Sequence, residues 1–235
     1  LAVLDGIHLI EAYRQRYGLP PEILVSDSGA QRREIGEFLR DAGDGARTSI
    51  LADALFVSLA VVDTPSGIMA VVPRPPTAPL QPAVDTVVLD GVQDPGNVGS
   101  ILRSAAAAGF RQILLAPDCA QAWAPRTLRA AMGAHFQLDI HETGDLSAFL
   151  AAFHGVTVAT LPTAITGLYE SKLDGPLAWV FGSEGNGIRP QVVALTRLQL
   201  SIPLAPHTES LNVAAAAAVC LFETVRYRQA RTARL

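Results

Sequence analysis

Three stretches of the chain combine residue types that could bind a ligand and act on it. The first, DPGNVGSILRSAAAAGF, opens on an Asp94-Pro95-Gly96-Asn97 turn signal, after which Asn97 can cap a helix. Gly96 and Gly99 would leave the N-terminus of that helix open to close approach by a ligand, and Arg103 follows about one helical turn after Gly99. The second stretch, FGSEGNGI, sets three glycines (182, 185 and 187) around a single charge, Glu184. Backbone this bare can come close to a ligand, but the spacing is not G-x-G-x-x-G and the loop falls late in the chain, so a dinucleotide fingerprint fails. The third stretch, SIPLAPHTESLNVAAAAAVCLFE, is stiffened by Pro203 and Pro206. It places Ser210 and Asn212 at the head of a helix and follows them with five alanines, 214 to 218, against which another backbone can pack closely. Taken singly, each has a plainer reading: a capped helix with a solvated arginine, a flexible glycine turn with an exposed carboxylate, and a Ser-capped core helix.

The elements that would hold these stretches follow from hydrophobic periodicity. Strands are expected over 86–89, 112–115, 136–140, 156–160, 177–181 and 199–202, with helices over 98–108, 125–132, 146–153, 189–195 and 211–227. Apolar strands alternating with helices imply an α/β fold whose parallel sheet is covered on both faces. Such sheets bind ligands beyond the carboxyl ends of their strands, here the loops after Leu89, Thr160, Phe181 and Ile202. Ahead of this unit, helices over 6–17, 32–40 and 52–59 and strands over 22–25 and 68–72 outline a smaller α/β part. Between the two, five of the eleven residues over 73–83 are proline, which reads as a stiff, extended connector.

Composition narrows the function classes. Of 235 residues 49% are hydrophobic and 17% charged, which is enough to bury a core and excludes a disordered chain. No apolar run has the length of a membrane span. The opening LAVLDGIHLIEAYR places Asp5 and His8 inside its apolar stretch, unlike a secretory signal, and Leu1 in place of Met points to a short preceding piece. Cys119 and Cys220 are too few for a disulfide framework or a structural zinc site, so no metal and a reducing cytosolic compartment are expected. Lys172 is the only lysine, and the net charge of −4 argues against coating nucleic acid by bulk charge while leaving room for a local arginine patch.

Taken together, in this order and after strands, the three stretches resemble the motifs of the SpoU/TrmH-type RNA 2′-O-ribose methyltransferases of the SPOUT class: DPGNVGSILRSAAAAGF the first, GSEGNGI the second and IPL…SLNVAAAAA the third. The resemblance covers 84–228. DGIHLIEAY and DTPSGIMAVV also look like parts of the small substrate-binding domain found in many members. It implies a small α/β RNA-binding domain over 1–73, a linker over 74–83 and a parallel-sheet catalytic domain with a C-terminal trefoil knot over 84–235. It further implies S-adenosylmethionine as cofactor, held around Thr160, Leu161, Gly182, Ile202, Leu204 and Leu211. The reaction implied is methyl transfer to a ribose 2′-hydroxyl of RNA, ribosomal or transfer, carried by Arg103 with Asn97, Glu184, Ser210 and Asn212. A homodimer joined through the C-terminal domain is implied as well. RNA would meet Arg32 and Arg33, with Arg14 and Arg16 beside them, and Arg111, Arg126 and Arg129. The alternatives are a non-catalytic RNA-binding or assembly factor on the same scaffold and, less well supported, a nucleotide-dependent oxidoreductase.

Overall fold

The computed structural model describes residues 1–142 and 145–232; the range expected for the second part, 84–235, extends past them. The chain folds around two sheets. The first contains β1 (Ala2–Asp5), β2 (Glu22–Ser26), β3 (Arg47–Leu51) and β4 (Ile68–Val72) in the order β1-β4-β2-β3. The helices of this part are α1 (Ile7–Tyr17), α2 (Asp27–Ala30), α3 (Arg33–Ala42) and α4 (Asp53–Leu59). The three helices and two strands expected here are present. β1 and β3 are not announced by the sequence pattern: β1 is four residues long, and RTSIL in β3 is largely exposed, so no apolar alternation marks it.

The second sheet is wholly parallel. Its strands are β5 (Thr86–Asp90), β6 (Gln112–Leu115), β7 (Asp139–Glu142), β8 (Val156–Thr160), β9 (Thr166–Gly167), β10 (Leu177–Gly182) and β11 (Leu198–Ser201), ordered β7-β6-β5-β10-β8-β11-β9. Its helices are α5 (Pro95–Ala108), α6 (Pro125–Ala131), α7 (Leu146–Ala152), α8 (Pro190–Val193) and α9 (Val213–Thr232). Side chains alternate across it with the two-residue period of a strand. Val87, Leu89, Trp179 and Phe181 pack on α5 and α9. Val88, Leu114, Ala178 and Val180 pack on α7 and α8. Burial on both faces is why these strands read as continuous apolar runs.

The strand expected over 136–140 begins later, because 134–137 form a 3₁₀ turn that directs Phe136 elsewhere. With Leu128 of α6, Phe136 is buried in the core of the first sheet, edge-on to Tyr13 with ring centroids 5.4 Å apart. Each such side chain contributes roughly 1.5–3 kcal/mol when fully buried, so the first sheet leans on residues of the second part. The proline-rich connector is docked rather than free. Thr77 Oγ1 donates to the Ile140 carbonyl at 3.3 Å and Ala78 N to Asp139 Oδ1 at 3.3 Å. Gln81 and Gln112 exchange hydrogen bonds of 2.8 and 2.9 Å, and the Arg74 guanidinium stands 5.9 Å over the Trp123 ring.

The last helix runs to Thr232 rather than ending near 227, and its far end is tied down. Arg228 donates to Asp85 at the foot of β5 and to the carbonyls of Leu173 and Gly175, while Arg231 grips Asp174 at 2.8 and 2.9 Å. Trp179 Nε1 donates to Thr224 Oγ1 at 3.2 Å in the core. No helix among the described residues is long and apolar enough to cross a membrane.

His135 is buried under Trp123, its Nε2 placed 2.6 Å from the Ala122 carbonyl, which puts a proton on that nitrogen, while burial favours the neutral ring. Burial pushes its pKa down to about 4. Between about pH 6.5, where the unfolded chain takes up the proton, and pH 4, where the folded one does, unfolding is coupled to proton uptake, and stability falls as pH falls. Urea titrations should show the unfolding free energy dropping from pH 7 to pH 4.5 by up to about 2–3 kcal/mol more in the wild type than in His135→Gln. Equal pH dependence in the two proteins would refute this assignment.

Candidate active site

β5 and β10 lie side by side in the sheet, with Asp90 and Gly182 in register at their carboxyl ends. From β5 the chain builds outward through β6 and β7, then crosses to the other side, so this is the point where strand order reverses. A cavity of about 510 Å³ opens there, beyond the ends of β8, β10 and β11. Thr160, Leu161, Gly182, Ile202, Leu204 and Leu211 all line it, as do Glu184, Ser210 and Asn212. Three of the four loops singled out by the sequence therefore form its wall.

The fourth loop, after β5, does not line the cavity but is tied to two lining residues through one side chain. Asn97 Nδ2 donates to Glu184 Oε1 at 2.6 Å, and Asn97 Oδ1 accepts from Asn212 Nδ2 at 2.9 Å. Asn212 Oδ1 in turn accepts from the backbone N–H groups of Ala214 and Ala215 at 2.9 and 3.2 Å. A carboxylate, two amides and a helix N-terminus thus form one hydrogen-bonded line across three loops.

Several local roles differ from those the sequence suggests. Asn97 does not cap α5; Asp94 does, its Oδ1 accepting from Asn97 N at 2.7 Å, which frees the Asn97 side chain for Glu184. Ser210 does not cap α9; Asn212 does. Gly99 does not face a ligand: a Cβ there would lie 2.5 Å from Ala130 Cβ and 2.6 Å from the Thr127 carbonyl, so the glycine lets α6 press onto α5. Gly182 is bare for a similar reason, since a Cβ would meet Gly187 C at 2.1 Å, where the 183–187 hairpin folds back. Ser183 and Gly187 close that hairpin with two backbone bonds of 3.0 Å.

Arg103 is not brought to the cavity within one chain. Six residues after Asn97, it lies about 9 Å along α5 and about 120° around it. Its side chain is exposed and makes no hydrogen bond or ion pair among the described residues. The other arginines are partly engaged. Arg14 pairs with Asp41 at 2.5 Å, Arg33 with Glu37 at 2.8 Å and Arg126 with Asp63 at 2.9 Å. Arg32 donates to the Ser66 carbonyl at 2.7 Å and Arg129 to that of Thr64 at 3.0 Å. Arg16 and Arg111 are exposed.

Sequence reasoning missed the pair behind the site. The buried Asp90 carboxylate accepts from Arg189 N at 2.8 Å and Nε at 2.7 Å, and this hydrogen bond raises the Arg189 pKa above its usual value. The signal available was an Asp closing an apolar strand, with the next Arg after the glycine loop as its only nearby sequence candidate.

Comparison with known proteins agrees with this architecture. The model of the SpoU rRNA Methylase family matches residues 85–222. The chain is 31% identical to a 23S rRNA (guanosine(2553)-2′-O)-methyltransferase, RlmP of Bacillus subtilis, covering 94% of this chain and 86% of that protein. It is 32% identical to a 23S rRNA (guanosine-2′-O-)-methyltransferase, RlmB from a Burkholderia species, covering 98% of each. Among solved structures, the SpoU methyltransferase AviRb of Streptomyces viridochromogenes, in complex with AdoMet, superposes with a TM-score of 0.84 at 25% identity, over 96% of this chain and 89% of that one. The fold and the cavity define a parallel α/β protein with its site at the strand-order reversal. The chain belongs to the SpoU rRNA methylase family.

Gly182→Ala should therefore lower the unfolding free energy by about 1–3 kcal/mol through overpacking of the hairpin. Gly185→Ala, where a Cβ meets nothing within 4 Å, should stay within about 0.5 kcal/mol of wild type. Equal denaturant midpoints for the two variants would contradict the packing role of Gly182.

Proposed function

We propose that this chain methylates a ribose 2′-hydroxyl of ribosomal RNA with S-adenosylmethionine, with transfer RNA as the alternative substrate. The observation that carries the reading is the cavity at the strand-order reversal, walled by three loops and tied together through Asn97. The cavity suits the cofactor: about 510 Å³ is within the range of small-molecule sites, and its lining is mostly apolar, with Leu161, Ile202, Leu204 and Leu211 available to sandwich an aromatic base. The Glu184 carboxylate at its wall is the charge a cationic ligand would favour. When bound, S-adenosylmethionine supplies a methyl group already activated by a positively charged sulfur.

The chain's own task is to position and deprotonate a weakly acidic hydroxyl. Holding that oxygen in line with the methyl group can supply roughly 7–11 kcal/mol of the barrier. Ser210 lines the cavity and would hydrogen-bond near the hydroxyl. Asn97 and Asn212 hold Glu184 and the head of α9 in fixed relation. Arg103 is assigned to the developing oxyanion and the adjoining RNA phosphate, through a guanidinium fork suited to both.

That assignment favours a homodimer. The outer stripe of α9 exposes Ala215, Phe222 and Arg226, with Phe222 47% exposed. A second copy on the α5 and α9 surface would bury this ring and bring the exposed Arg103 to a cavity it does not reach in its own chain. A trefoil knot is likewise proposed. Residues 161–165 connect β8 directly to β9 while β11 lies between them, with Leu161 N bonded to the Leu200 carbonyl at 2.9 Å, so the chain after β11 would pass under this arch. Residues 1–73 would be the RNA-binding domain, joined through 74–83 to the catalytic domain over 84–235, in a cytoplasmic enzyme.

Tritiated methyl transfer to total RNA from a strain lacking the gene, with the label mapped, tests the activity; no incorporation together with no calorimetric binding of S-adenosylmethionine would favour a non-catalytic RNA-binding factor. Arg103→Ala should reduce methyl transfer about 10²–10³-fold with cofactor affinity largely kept; turnover at the wild-type rate would remove Arg103 from the mechanism. Replacing Arg32 and Arg33 together by Ala should weaken RNA binding and flatten its dependence on salt. An unchanged slope would place the RNA on another surface.

A further inference from the structure

A second cavity, of about 200 Å³, lies where α1 and α3 of the first sheet's layer meet α6, and it shares no residue with the first. Its walls combine apolar side chains, Ile35 and Leu128 among them, with the polar His8, Glu34 and Ser66, and Met132 in the lining is 52% exposed. Asp5, at the end of β1, forms part of its lining and is only 8% exposed. Asp5 Oδ2 accepts a long 3.4 Å bond from Ser66 N, and the Ser66 side chain also acts on the carboxyl. A carboxylate has about four acceptor positions, so this one keeps capacity that a ligand's donors could use.

At the same cavity stand two guanidinium groups, Arg32 and Arg129. Each holds a carbonyl of the 64–66 loop and retains free N–H donors facing solvent. Arg129 lies near enough to Asp5 for its charge to act on the carboxyl, although burial prevails and holds that pKa above the usual carboxylate value. The arrangement is a small slot of mixed lining with a carboxylate acceptor inside and two guanidinium groups beside the single Glu34 carboxylate, which suits a flat ring carried on a phosphodiester strand.

We propose that this cavity takes one unpaired guanine of the RNA substrate, away from the methylated ribose, with Asp5 accepting from the base and Arg32 and Arg129 holding the flanking phosphates. The inference rests on the reading of the substrate as RNA. The choice of base follows from donor arithmetic. A carboxylate only accepts, and guanine alone among the four bases presents two adjacent donors, N1–H and the exocyclic N2 amino group. Adenine and cytosine set a ring acceptor beside their amino group, and uracil flanks its one N–H with carbonyls.

The test is fluorescence anisotropy of the full chain, without cofactor, against labelled single-stranded nonamers of uridine carrying one central guanosine, adenosine or inosine. The guanosine strand should bind about tenfold tighter than the adenosine strand. The inosine strand, which lacks only the N2 amino group, should fall between them. Asp5→Asn should bring guanosine to the adenosine level while thermal melting shows it folded; the inosine comparison needs no variant and stands if Asp5→Asn fails to fold. Equal affinity for all three strands would overturn the guanine site and leave the RNA reading intact. No binding to any strand would also overturn the site, and would overturn the RNA reading only if methyl transfer to total RNA were absent too.

Discussion

A primary amide has one accepting end and one donating end, and the line from Glu184 through Asn97 to Asn212 depends on that polarity. The free N–H groups at the head of α9 claim the Asn212 oxygen, so its amino group must face Asn97. Asn97 then has to present its oxygen to Asn212 and its amino group to whatever lies beyond, which must be an acceptor, and Glu184 is one. Neither amide can turn over without leaving two donors or two acceptors facing each other. Positions 115 residues apart in the chain are set relative to one another by a chemical order rather than by bulk packing. Asn97 is half-buried and the line is partly wet, so its value is less in free energy than in orientation.

What makes the line possible is behind it. The hairpin that carries Glu184 leaves β10 at Gly182, where only a glycine admits the returning backbone, and ends at Arg189, whose main chain and side chain both bind Asp90. Asp90 sits at the end of the neighbouring strand, in register with Gly182, so both ends of the hairpin are fixed to the same level of the sheet. The pair is asymmetric: the Asp90 carboxylate is fully buried while the Arg189 side chain is 43% exposed. Taking away the arginine strands a buried charge, whereas taking away the aspartate releases a cation to water, so the carboxylate is the dependent partner. A loop with three glycines would otherwise be the most mobile part of the site.

How much of this could be read in advance depends on what each residue reports. The seven-stranded sheet is legible because four of its strands are buried on both faces and appear as apolar runs; β9, two residues long at the edge, leaves no trace. β3 is invisible for the opposite reason, since its side chains face solvent and only its hydrogen bonds to β2 make it a strand. Residue types at the site were legible too, and all the positions expected around the cofactor do line the cavity. Their individual roles were not. Asp94 and Asn97 are both good caps, and the sequence does not say which one turns inward; Ser210 and Asn212 pose the same choice. Arg103 lies on α5 and exposed to solvent, but a helix has more than one face, and periodicity does not say which of them a ligand would meet.

The glycines carry the same lesson into the relation between the two sheets. Gly99 looks like an opening for a ligand and is in fact the contact through which α6 presses onto α5, one turn or less from Asn97. The opposite face of α6 sends Leu128 into the core of the first sheet, and the turn that follows it sends Phe136. A continuous packed path therefore runs from the amide line, through the start of α5 and through α6, to the small sheet and to Asp5 and Arg129 at the second cavity. Packing of this density fixes distance rather than transmitting a signal. On the proposed reading, an RNA strand held at the small sheet would meet the methyl-transfer cavity at a set spacing, and that spacing, rather than the mostly apolar lining, would select one ribose among many.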